Sequence, residues 1–132
     1  MRRVSRTLVL AAFLVMAGCS LFRDRHVNPA VVCSFHAPDT VRAGTTFEVT
    51  AHVGLGAVSG FVVDHKEIVR AHTYLSLRVW SRDIGGSIRN DQPTEVDITF
   101  QTRPTRPGPY RLVAPSPYAD WHEVEKIITV LP

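Results

Sequence analysis

Between residues 30 and 132, apolar side chains recur at every second position in stretch after stretch. Phe47, Val49, Ala51, Val53 and Leu55 alternate with Thr46, Glu48, Thr50 and His52. Leu75, Leu77 and Val79 alternate with Ser76, Arg78 and Trp80, and Val96, Ile98 and Phe100 with Glu95, Asp97 and Thr99. Tyr110, Leu112 and Ala114 form a shorter set, Val31, Cys33 and Phe35 another. Phe61–Val63 and the closing stretch Val124–Leu131 complete the pattern. A strand sends successive side chains to opposite faces, so each stretch predicts a strand with one apolar face. Breakers fall between them: Pro38-Asp39, Ala43-Gly44, Gly54 and Gly56, Gly85-Gly86, Asn90-Asp91, the Pro104–Pro109 segment, and Pro115 with Pro117. About seven such strands can all cover an apolar face only by packing sheet on sheet. The expected fold is all-β, a two-sheet antiparallel sandwich. Asp64–His72, which lacks a clean alternation, is expected to be a loop or short turn.

The first eighteen residues differ in kind. Arg2, Arg3 and Arg6 precede an apolar run from Leu8 to Ala17, and Gly18 follows. That run is about 15 Å long as a helix, against a hydrocarbon core of about 30 Å, too short for a comfortable span. A charged start, short apolar core and small residues predict a secretory signal peptide. Setting those three arginines aside leaves 12 basic against 12 acidic residues, which removes the case for nucleic-acid binding made by the pI. Val15-Met16-Ala17-Gly18-Cys19 resembles the lipobox of bacterial lipoproteins. The resemblance implies cleavage before Cys19, diacylglycerol on its thiol and membrane attachment through acyl chains, each buried methylene contributing about 0.8 kcal/mol. Ser20 after the cysteine is compatible with sorting to the outer membrane of a two-membraned cell, facing the periplasm. The expected organisation is residues 1–18 as signal peptide, 19–29 as lipidated cysteine and tether, and 30–132 as the folded domain. Ser20–Asn28 reaches roughly 30 Å when extended, which keeps the domain near the bilayer. Leu21 and Phe22 either dip into the interface or pack on the domain.

Two motifs in the body carry a second resemblance. Ala37-Pro38-Asp39-Thr40-Val41-Arg42-Ala43-Gly44-Thr45-Thr46-Phe47-Glu48-Val49 resembles the approach to the second strand of bacterial immunoglobulin-like domains, and Pro107-Gly108-Pro109-Tyr110-Arg111-Leu112 resembles their approach to the sixth. The resemblance implies an immunoglobulin-like sandwich with Tyr110 at a corner, its hydroxyl satisfied by nearby backbone. Function does not follow from such a fold.

Chemistry-bearing motifs are sparse. Cys33 shares a strand face with Val31 and Phe35, which favours a small buried hydrophobe over a reactive thiol or metal ligand; alternation turns His36 the other way. The six histidines show no ligand spacing, although a sandwich can bring His52 to His65 or His72 across neighbouring strands, which would suit copper or zinc. Gly54–Gly60 matches no phosphate-binding pattern, and Ser59 sits in no nucleophile elbow. Asp64 with Glu67, and Glu123 with Glu125, are explained by solvated strand ends rather than paired-carboxylate catalysis. No enzyme and no cofactor are expected. Tyr118, Trp121 and His122, between the last two strands, are the candidate partner-binding residues, with Trp121 alternatively capping the core. Thr102–Pro107, a duplicated Thr-Arg-Pro, reads as a stiff connector with solvated arginines, or as a contact for anionic lipid or polysaccharide. The expected role is that of a membrane-anchored envelope lipoprotein acting as a non-catalytic binding or assembly module with an envelope protein partner. The alternative is an envelope copper- or zinc-binding protein.

Overall fold

The computed structural model describes residues 27–56, 60–84 and 94–132. The signal segment, Cys19 and most of the tether lie outside the described residues, as do residues 57–59 and 85–93. The described chain forms nine strands: β1 (Val27–Pro29), β2 (Val31–His36), β3 (Thr40–Arg42), β4 (Phe47–Gly54), β5 (Phe61–Arg70), β6 (Tyr74–Asp83), β7 (Glu95–Thr102), β8 (Gly108–Ala114) and β9 (Val124–Leu131). They make a two-sheet sandwich. One sheet has three strands in the order β2-β4-β7, and the other has six, in the order β1-β6-β8-β9-β3 with β5 on the remaining edge of β6.

The alternating stretches supply the core. Val49, Ala51 and Val53 from β4 meet Leu75 and Leu77 from β6, Leu112 from β8 and Ile128 from β9, all fully buried. Burial of each Val, Leu or Ile side chain among them contributes about 1.5–3 kcal/mol, and together they clamp the sheets. Ser81 is the fully buried polar residue in this layer; its hydroxyl lies 3.2 Å from the Leu55 carbonyl and 3.4 Å from that of Asn28.

The sandwich differs in detail from the sequence expectation. Nine strands replace about seven because two short strands, β1 and β3, flank the first expected strand, which is β2. β1 pairs with β6 in the larger sheet, β2 with β4 in the smaller, and β3 with β9 in the larger again. Pro38-Asp39 carries the second of these crossings. The pairings β3–β9 and β6–β8 are parallel, the rest antiparallel. After β3 the chain reverses in a turn closed by the Thr45 N–H on the Arg42 carbonyl (3.1 Å), with Gly44 at φ 79°. That left-handed backbone disfavours a side chain, which explains the glycine.

Asp64–His72 is not a loop. Residues 64–70 continue β5, and the hairpin to β6 turns tightly through His72 and Thr73, with the Ala71 N–H on the Tyr74 carbonyl at 2.8 Å. The alternation is blurred because β5 is an edge strand with a register shift between Val63 and His65. Its charged Asp64, Lys66, Glu67 and Arg70 are what an exposed edge needs to resist pairing with another chain. Cys33 is likewise misplaced by alternation. A bulge between Val32 and Ser34 turns Val32 and Phe35 inward and leaves Cys33 exposed.

Candidate functional site

One end of the sandwich gathers the end of β1, the start of β2, the end of β4, the start of β7 and the β8–β9 connection. Between them lies a mostly apolar groove of about 530 Å³, lined by Val31, Cys33, Leu55, Glu95, Tyr118 and Trp121, with Pro29, Gly54 and Gly56 closing it. Local chemistry shapes each wall. The Leu55 N–H donates to the Thr94 carbonyl at 2.8 Å and ties the end of β4 to the start of β7. A Cβ on Gly56 would lie 3.0 Å from the Phe61 ring, so a side chain there would press on that ring.

The aromatic wall is a self-held turn. Ser116 accepts the Tyr118 N–H at 3.2 Å and donates its hydroxyl to the Tyr118 carbonyl at 2.8 Å. That carbonyl also accepts the Trp121 N–H at 3.2 Å. Flanking Pro115 and Pro117 further limit the backbone. The turn holds the Tyr118 and Trp121 rings 5.9 Å apart at 56°, a tilted aromatic pair. Trp121 is 58% exposed and Tyr118 47%, so Trp121 does not cap the core. His122 is exposed but does not line the groove.

Glu95 joins the groove to a charged row on the outer face of the small sheet. His52 on β4 lies opposite Asp97 on β7, with Nδ1 at 2.8 Å from Asp97 Oδ1 and Nε2 at 3.1 Å from Glu95 Oε2. The two carboxylates, Asp97 first and then Glu95, raise the imidazole above its ordinary pKa by hydrogen bonding. Each ring nitrogen faces a carboxylate, so the protonated imidazole donates to both acids and in that form has no lone pair for a metal.

The histidines expected to meet do not. His52 is in the three-stranded sheet, while His65 and His72 are on β5 and its hairpin in the six-stranded one. His65 stacks on Trp80 (centroids 4.4 Å apart, planes at 11°) and its Nδ1 lies 2.6 Å from Asp64 Oδ2. Among the described residues, no group of three or more His, Cys, Asp or Glu side chains is placed to hold a metal. Glu123 and Glu125 are not merely solvated, since Arg111 pairs with both, and Asp64 pairs with Arg82 at 3.6 Å. Tyr110 is buried as the sequence implied, but its hydroxyl meets the Thr102 hydroxyl at 3.1 Å rather than backbone.

Sequence reasoning found Tyr118 and Trp121 but missed Cys33, Leu55 and Glu95 as their neighbours. These residues are up to 88 positions apart, so only the strand order brings them together. No family model, curated protein or solved structure matches the chain.

Proposed function

We propose that the protein is a membrane-anchored lipoprotein of the bacterial cell envelope, held at the membrane through Cys19, whose β-sandwich is a non-catalytic module that docks an envelope protein through the Tyr118/Trp121 groove. The observation that carries this reading is the pair of half-exposed aromatic rings, fixed by their own turn over an apolar groove. Rigid aromatic side chains lose little entropy on binding and are the residues most enriched among interface anchors. The anchor rests on the lipobox-like Val15–Cys19. The short tether leads into β1, whose last residue, Pro29, borders the groove. The tether thus joins the sandwich at the end that carries the groove.

Affinity capture from envelope extracts with the full chain and with Trp121→Ala tests the docking. A partner retained by the natural chain is expected to be depleted about thirtyfold by the variant, corresponding to about 2 kcal/mol for a buried aromatic anchor. Equal recovery of every partner rules out the groove. A Cys19→Ala chain is expected to leave the membrane fraction; if it stays, the anchor is wrong.

A further inference from the structure

The opposite end of the sandwich holds a second cleft. β4 and β7 run antiparallel, so Phe47 and Thr102 lie a strand's length, about 23 Å, from the aromatic groove. Here the β5–β6 hairpin faces the Thr102–Pro107 connector across a cleft of about 660 Å³ lined by Arg70, His72, Arg103, Thr46, Gln101 and Thr105. Its floor is the buried Thr102–Tyr110 hydroxyl pair. Among the described residues, no carboxylate lines it.

The two arginines are oriented without being neutralised. Arg70 Nη2 donates to the Gln101 carbonyl at 3.3 Å, and Arg103 Nε to the Gly44 carbonyl at 2.6 Å. A carbonyl fixes a guanidinium but cancels none of its net charge. Two other arginines are compensated, Arg82 by Asp64 and Arg111 by Glu123 and Glu125; what sets Arg70 and Arg103 apart from the rest is that they line one cleft. Neither Arg70 nor Arg103 has a carboxylate partner among the described residues. In the Thr-Arg-Pro connector both arginines, Arg103 and Arg106, are exposed, while the backbone of the first repeat is docked. Thr102 and Pro104 are buried and the Pro104 carbonyl accepts the Gly44 N–H at 2.8 Å, which docks the first repeat and turns Arg103 outward beside the cleft.

The geometry points to an anion-binding cleft in which Arg70 and Arg103 clamp a phosphate group carried on a hydroxylated molecule. Guanidinium groups present paired N–H donors that match phosphate oxygens. The hydroxyls of Thr46 and Thr105 and the amide of Gln101 are suited to the hydroxyl groups of a glycerol or sugar moiety. The cleft has room for more than a bare ion. This site does not depend on the aromatic groove, and either stands if the other fails.

The test uses the full chain in neutral maltoside micelles, titrated at low salt with inorganic phosphate, with glycerol 3-phosphate, and with phosphatidylglycerol doped into the micelles. The Nε–H signals of the arginines are followed by nuclear magnetic resonance. Saturable shifts at Arg70 and Arg103, with Arg78 on the outer face of β6 unmoved, are expected for at least one phosphate source. A response to glycerol 3-phosphate assigns a free ligand, and a response to phosphatidylglycerol alone assigns a lipid headgroup. The R70Q/R103Q chain is expected to bind at least tenfold more weakly. Unsaturable shifts, equal shifts at Arg78, or unchanged affinity in a folded double variant would overturn the site. The signals of the unaltered chain decide the matter even if that variant does not fold.

Discussion

At the scale of single residues, Tyr110 and Thr102 show how a buried polar pair is kept. Each hydroxyl satisfies the other at 3.1 Å, in positions 3% and 5% exposed. Removing one hydroxyl strands its partner away from water. Tyr110→Phe is therefore expected to cost about 1–3 kcal/mol, read as a lower denaturant midpoint. Adding Thr102→Val should restore part of that loss, because the orphaned hydroxyl goes too. His52 makes a pH prediction. Its folded pKa is raised above 6.5 by Asp97 and Glu95, so its contribution is complete below that value and fades as pH rises through the folded value. Unfolding midpoints of the natural chain and His52→Gln should be furthest apart near pH 5.5–6 and converge towards alkaline pH. A gap that widens with rising pH would contradict the bridge. The pair is solvent-exposed, so the effect is small and salt-sensitive.

At the scale of strands, alternation located β4, β6 and β7 well because they are regular and one-sided. Phe47, Val49, Ala51, Val53 and Leu55 are all buried, as are Leu75, Leu77 and Val79. It failed where a strand is irregular. A bulge adds one residue and inverts the facing beyond it, so period two assigned Cys33 to the wrong side. The consequence is testable on a Cys19→Ala chain. Under native conditions Cys33 should react with a maleimide at nearly the rate of the denatured chain. Labelling slowed by orders of magnitude would mean that it is buried after all. β5 was expected only at Phe61–Val63, and its continuation to Arg70 escaped notice for another reason. It has no apolar stripe because its residues are half-buried or exposed, and it owes its place to pairing with β6 and not to its own pattern.

At the scale of the whole molecule, the sandwich itself was legible, since alternating stretches with breakers between them leave little else to build. The strand order was not. Parallel pairing of β6 with β8, and the placing of β1 and β3 in the sheet opposite β2, depend on contacts distant in sequence that no local pattern encodes. The same holds for the sites. Tyr118 and Trp121 drew notice as adjacent aromatics, whereas Arg70 and Arg103 are 33 positions apart and meet only because the β5–β6 hairpin reaches over the end of β7. The two ends that result differ in chemistry, one aromatic and apolar, the other cationic and hydroxylated.

The way the chain enters the fold also governs how it bears load. Val27–Pro29 is stitched to β6, the Ala30 N–H is fastened to the Val79 carbonyl at 2.9 Å, and Val31–His36 is stitched to the opposite sheet. Tension arriving before Val27 first strips three residues, then meets the Ala30 fastening, and only afterwards strains β2. Three paired residues and one hydrogen bond thus lie between a pull on the tether and the first strand of the smaller sheet.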